Sequence, residues 1–79
     1  MFTLPADEDY ARSILSILCA RHLRPGETLS VTATNQDFLA KNMGRPIDFH
    51  VAVAYCADQE WVKLQNGMIR LTALGFEEF

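Results

Sequence analysis

Between Thr34 and Phe76 the chain carries an ordered series of local signals that leaves few folds open. A helix-start signal, Thr34-Asn35-Gln36-Asp37, precedes Phe38-Leu39-Ala40. A break follows at Met43-Gly44-Arg45-Pro46, then an apolar helical stretch from Ile47 to about Gln59. Two short alternating runs flank Asn66-Gly67, and the series closes on Leu71-Thr72-Ala73-Leu74-Gly75-Phe76. Asn-Gly between alternating runs favours a two-residue type I′ turn. That turn sets the register: Gln65 opposite Met68, Leu64 opposite Ile69, Lys63 opposite Arg70 and Val62 opposite Leu71. Val62, Leu64, Ile69 and Leu71 then share one face, expected to be the core face. Trp61, Lys63, Gln65, Met68, Arg70 and Thr72 share the other.

The rest of the chain frames this series. Asp7, Glu8 and Asp9 complement the positive end of a first helix expected from about Ala6 to Leu23, with Pro5 in its first turn and Pro25-Gly26 as its stop. Tyr10, Ile14, Ile17 and Leu18 recur at helical spacing, widened by Ala11 and Leu15. Glu27 to Ala33 reads as extended, and Thr28 to Ser30 as a short strand able to join the hairpin. In the second helix Thr34 is expected as N-cap, with Asp37 three residues on as a weaker capping box. Gly44 is expected to end it in the left-handed conformation, and Pro46 to open the third helix. That third helix is apolar around most of its circumference. Its polar strip is expected to be Asp48, Ala52, Tyr55 and Gln59. The expected core is Ile14, Ile17, Leu18, Leu29, Phe38, Leu39, Val51, Ala54, Val62, Leu64, Ile69 and Leu71.

Seventy-nine residues make one domain, 1–79, with a small core. No apolar run approaches the ~20 residues of a membrane span. Met1-Phe2-Thr3-Leu4 lacks the basic start of a signal peptide, so a cytoplasmic setting is expected. Cys19 and Cys56 match no zinc spacing and read as buried, reduced thiols. His22 and His50 have no carboxylate or Cys at ligand spacing. His22 is expected to serve the end of the first helix, and His50 to be partly buried near the helix-turn-helix break. With no phosphate loop and no nucleophile beside a base, the sequence predicts a non-enzyme without metal, cofactor or small-molecule substrate.

Helix, tight break, helix and hairpin, with an aliphatic strand leading into Leu71-Thr72-Ala73-Leu74-Gly75, together resemble a bacterial winged helix-turn-helix domain over roughly Tyr10 to Phe76. The fold expected is α+β, mainly α, with three helices and a small antiparallel hairpin as the wing. The resemblance implies that the third helix lies in a major groove of double-stranded DNA and that the wing touches the backbone or the minor groove. It implies a small transcription regulator. Carried onto this chain, the base-facing candidates are Arg45, Asp48, Phe49 and Ala52. The phosphate candidates are Lys41, Arg45, Lys63 and Arg70. Relatives of this kind often dimerise through a helix after the wing. Here the chain is expected to end where that helix would begin, so a homodimer would use other surfaces.

The residues also support a different reading. Net charge is −3, and between Tyr10 and Phe76 seven cations face five anions, a balance of only +2. Base contacts come mainly from Arg, Lys, Asn and Gln, which the polar strip of the third helix scarcely offers. Trp61 and Met68 on the outer hairpin face fit a protein contact surface, Trp being frequent at interface hot spots. For Trp61 the alternative is packing against the C-terminal segment, Phe76 or Phe79. Lys63 opposite Arg70 is a like-charge pair that an anionic partner would relieve; the alternatives are that Glu60 or a terminal Glu neutralises it or that both side chains splay into water. The second reading is therefore a winged-helix protein-interaction module that binds no DNA.

Overall fold

The computed structural model describes residues 7–79; the expected positions of Pro5 and Ala6 lie outside them. In chain order the elements are α1 (Asp7–Ala20), β1 (Thr28–Ser30), α2 (Val31–Ala40), α3 (Pro46–Asp58), β2 (Val62–Gln65), β3 (Met68–Leu71) and α4 (Ala73–Glu78). The fold is α+β and mainly helical, with four helices where three were expected. One antiparallel sheet has the order β1-β3-β2.

The hairpin has the register set by its turn, Val62 opposite Leu71 through Gln65 opposite Met68. Asn66 (φ 50°) and Gly67 (φ 75°) both take the positive φ that a type I′ turn requires. β1 joins the far side of β3, pairing Thr28 with Arg70 and Leu29 with Ile69. This makes β3 the central strand, and Ile69 and Leu71 are fully buried.

Helix ends depart most from expectation. α1 stops at Ala20, three residues before the expected Leu23. His22 takes φ 61°, and the N–H of Leu23 donates to the carbonyl of Leu18 at 3.1 Å. This is the 6→1 bond of a Schellman motif, with Leu23 folded back onto the core. α2 ends the same way at Asn42 (φ 54°), with the Met43 N–H on the Phe38 carbonyl at 3.1 Å. α3 ends at Glu60 (φ 61°), with the Trp61 N–H on the Cys56 carbonyl at 2.9 Å. Gly44 is therefore not the left-handed stop. Its lack of a side chain leaves room for the Phe38 ring, which a Cβ there would meet at 2.9 Å.

Thr34 is likewise not the N-cap of α2. Ser30 holds that place, its hydroxyl accepting from the Ala33 N–H at 3.0 Å. Helix thus begins at Val31, although Val31-Thr32 has strand-like propensity, because the cap and the packing of Thr34 and Phe38 outweigh it. Thr34 is fully buried and its hydroxyl donates to the Ser30 carbonyl at 2.8 Å. Asp37 pairs instead with Arg21, through two bonds of 2.8 and 3.0 Å that tie the end of α1 to α2.

The core joins α1, α2, α3 and the inner face of the sheet. Ile14, Ile17, Leu18, Phe38, Val62, Ile69 and Leu71 are buried as expected. Leu29 and Val51 are half-buried, and Leu39, Ala54 and Leu64 are exposed. Ala11, Leu15, Phe49, Ala52, Val53, Cys56 and Trp61 complete the core. The Phe38 and Phe49 rings meet edge to face at 5.5 Å.

Thr72 caps α4, the helix that sequence reading placed beyond the chain. Its hydroxyl accepts from the Gly75 N–H at 3.0 Å and lies 2.6 Å from the Glu60 carbonyl, to which it donates. Gly75 packs directly on the Trp61 backbone, where a Cβ would collide with the Trp61 carbonyl. The Leu71-Thr72-Ala73-Leu74-Gly75 sequence thus has a physical account: strand end, cap, and a glycine that lets α4 close over the junction of α3 and β2.

Candidate interaction face of α3 and the hairpin

α3 is oriented by its buried side. Phe49, Ala52, Val53 and Cys56 follow the i, i+3, i+4, i+7 pattern of a helix facing a core. The Cys56 thiol donates to the Ala11 carbonyl at 3.3 Å, and burial pushes its pKa up to about 12. This is a structural thiol rather than a reactive one. Asp48 is buried too. Its carboxylate accepts from the Arg45 N–H at 2.8 Å and from the Arg45 guanidinium at 3.0 and 3.2 Å. These bonds hold the Asp48 carboxyl below the usual carboxylate range.

Three of the four base-facing candidates are thereby corrected. Asp48, Phe49 and Ala52 point into the molecule, because the larger apolar residues Phe49, Val53 and Cys56 claim the core and turn the helix about its axis. Arg45 remains outside, its side chain 77% exposed, but its guanidinium is engaged by Asp48. The residues that α3 turns outward are Ile47, His50 and Ala54, with Val51 at the margin and Asp58 at the end. Ile47 is 61% exposed. His50 is exposed rather than partly buried, and its ring meets the Phe49 ring at 5.9 Å.

The hairpin candidates divide as well. Lys63 and Arg70 are exposed and stand opposite each other, on the sheet face turned away from the core. Among the described residues no carboxylate lies within ion-pair distance of either, or of Lys41 in the exposed α2–α3 turn. Glu60 and Glu78 therefore do not neutralise the pair. Glu78 is taken by Arg12, which also donates to the Glu78 carbonyl at 2.9 Å. Trp61 is only 5% exposed and is no surface anchor. It sits before β2 begins, under the Arg12 guanidinium at 5.3 Å and edge to face with Tyr55 at 5.7 Å. Its backbone is covered by the C-terminal segment at Gly75, in line with the packing alternative, while the Phe76 and Phe79 rings are exposed. Met68 is half-buried.

What α3 and the hairpin enclose is apolar. A groove of about 390 Å³ is lined by Val31, His50, Ala54, Leu64 and Met68, with Gly67 at the hairpin tip. A second trough of about 410 Å³ runs beside β2, between Ala57 and Glu60 on one side and Val62 to Gln65 on the other. Leu64, 49% exposed, lies in both. Sequence reading missed Ile47, His50, Ala54 and Leu64 as surface residues. The signal was present: anchoring the helical frame on Phe49-Ala52-Val53-Cys56 turns Ile47, His50 and Ala54 outward.

Among the described residues no group of His, Cys, Asp and Glu is arranged to hold a metal ion, and no helix is long and apolar enough to cross a membrane. No family model, curated protein or solved structure matches the chain significantly. Its outward chemistry must be read from its own side chains.

Proposed function

We propose that this chain is a winged helix-turn-helix module whose α3–hairpin face docks a protein partner. The element order α1-β1-α2-α3-β2-β3-α4 and the sheet order β1-β3-β2 support the winged-helix reading. One observation carries the functional half. The side of α3 that a DNA reader would present carries Ile47, His50, Val51 and Ala54, and it adjoins an apolar groove. Major-groove readout needs donors and acceptors that match base edges, and phosphate binding needs free cations. Ile47, Val51 and Ala54 supply neither, whereas a helix or extended segment with one or two apolar side chains fits such a groove. Asp48 is held by Arg45 and Asp37 by Arg21, so these carboxylates serve as cap and clamp. A reduced, buried Cys56 suits the cytoplasm.

The test is capture and reconstitution with matched surface variants. Ala54→Asp and Leu64→Asp place charge in the groove, at exposed positions where the fold tolerates it. A partner that binds the wild type as a purified one-to-one complex, and binds both variants at least tenfold more weakly, is the expected result. Equal binding by all three chains would contradict the proposal.

A second reading has one specific observation in its favour. Among the described residues Lys63 and Arg70 are juxtaposed with no carboxylate within ion-pair distance, and Lys41 is exposed. That arrangement suits a phosphate backbone and hence a DNA-binding transcription regulator, alone or as a homodimer. Against it, Lys63 and Arg70 alternate with Leu64 and Ile69, so they point to the opposite side of the sheet from Leu64 and its groove.

A further inference from the structure

The sheet has two faces, and the helices cover one of them. Val62, Ile69 and Leu71 turn inward and are buried. On the other face Thr28, Arg70 and Lys63 stand at one level across β1, β3 and β2, and all three are exposed. Side chains directly opposite on neighbouring strands lie within reach of one another. This row therefore sets a guanidinium beside an ammonium, with a hydroxyl on its flank. Ser30, Met68 and Gln65 make the next row on the same face, and none of them is ionic.

The acids nearest in sequence are turned elsewhere. Glu27 precedes Thr28, but its carboxylate accepts the Arg24 N–H at 2.7 Å. Glu60 precedes β2 and forms no ion pair with Lys63. Two like charges held directly opposite each other destabilise the free chain. One carboxylate set against the row reverses the sign at both cations: it accepts charge-assisted bonds from each and offsets their repulsion.

The surroundings of the pair select among anions. A second copy of this face brings two more cations and is repelled. A duplex backbone is held by several cations, 6–10 phosphate contacts being usual for a strongly salt-dependent binder. Here the cationic row stops at two, since the adjoining row is neutral and the exposed Lys41 lies in the α2–α3 turn. Two cations bordered by an amide and hydroxyls match a protein surface on which one or two acids stand among neutral side chains.

We propose that the outer face of the sheet is a second protein-contact site, where Arg70 and Lys63 jointly take an Asp or Glu carboxylate of a partner. The site is separate from the α3 groove, because Lys63 and Arg70 point to the opposite side of the sheet from Leu64.

The experiment titrates the whole chain, labelled with ¹⁵N, with the blocked peptide Gly-Ser-Glu-Glu-Ser-Gly and with its twin carrying Gln for both Glu. The Glu peptide should shift the Thr28, Lys63 and Arg70 amides, and the Gln twin should not. Lys63→Ala and Arg70→Thr should each weaken the Glu peptide roughly twofold to fivefold, as for an exposed ion pair. Lys41→Ala removes the same charge away from the sheet and should leave binding unchanged. Arg70→Thr should at the same time raise the melting temperature of the free chain, so that stability and binding move in opposite directions. Equal binding of the two peptides, or equal weakening by Lys41→Ala, would overturn the inference. Shifts of the same amides by mixed duplex DNA but not by the Glu peptide would also overturn it, and would make the face a phosphate clamp. If the Glu peptide instead shifts Ile47, His50 and Ala54, this site fails while docking to the α3 groove stands.

Discussion

The two sides of α3 are both apolar, yet among the described residues only one is packed against a partner. On the inner side Phe49 meets Phe38, Cys56 bonds to the Ala11 carbonyl, and Asp48 is clasped by Arg45. On the outer side Ile47, His50 and Ala54 are exposed, and His50 and Ala54 line a groove with Leu64. A helix that is apolar all round is ordinarily buried all round. The contrast teaches that composition alone does not orient a helix. The larger side chains take the core, and what remains outside is available for another molecule.

The strongest way to break this contrast is to truncate each side in turn. Phe49→Ala removes a fully packed ring and should cost about 3–5 kcal/mol in denaturant unfolding. Ile47→Ala on the same helix should change stability by less than about 0.5 kcal/mol. Similar losses from both would mean that the outer side is packed in the monomer.

A smaller effect sharpens the account of the scaffold behind α3. Gly75→Ala places a Cβ against the Trp61 carbonyl and should cost about 1–3 kcal/mol, with α4 displaced. Leu74→Ala, one residue away and exposed, should be nearly neutral. Reversed outcomes would detach α4 from the fold described here.

Acid should act on the clamped side and not the open one. Arg21 holds Asp37, and Arg45 holds Asp48, below the ordinary carboxylate range. A depressed folded-state pKa contributes stability that is fully present above the unfolded value, about 4, and is lost as pH falls through the folded value. Thermal unfolding should therefore lose stability from about pH 4 downward. Asp37→Asn with Asp48→Asn should flatten that slope, whereas Lys63→Ala should leave it unchanged.

The smallest effect concerns the open cations. Arg70→Thr removes the like-charge neighbour of Lys63 and should raise stability by a few tenths of a kcal/mol, up to about 1. A loss of similar size would show that Arg70 has a favourable partner in the free chain.

Legibility in the sequence followed the range of the physics involved. The hairpin was readable because Asn66-Gly67 and strict alternation fix the register locally. The order of the helices and Pro46 at the start of α3 were readable for the same reason. Helix stops were not, because the residues in left-handed geometry are His22, Asn42 and Glu60 rather than glycine. That geometry costs a non-glycine residue roughly 1–2 kcal/mol, and here Leu23, Met43 and Trp61 fold back onto the core just after each stop. The orientation of α3 depended on Phe38 and α1, which lie distant in sequence. The burial of Trp61 depended on Gly75 and Arg12, which no local pattern joins to it. The candidate surface changed accordingly, from Asp48, Phe49 and Ala52 to Ile47, His50, Ala54 and Leu64.

The central claim is that the α3–hairpin face meets protein rather than DNA. The most direct measurement is fluorescence anisotropy of mixed duplex DNA with the whole chain at low and moderate salt, beside Lys63→Ala with Arg70→Ala. The account predicts no saturable binding at either salt and no difference between the two chains. Micromolar binding that weakens with salt and with the double substitution would contradict it, and would make the outer hairpin face a phosphate clamp.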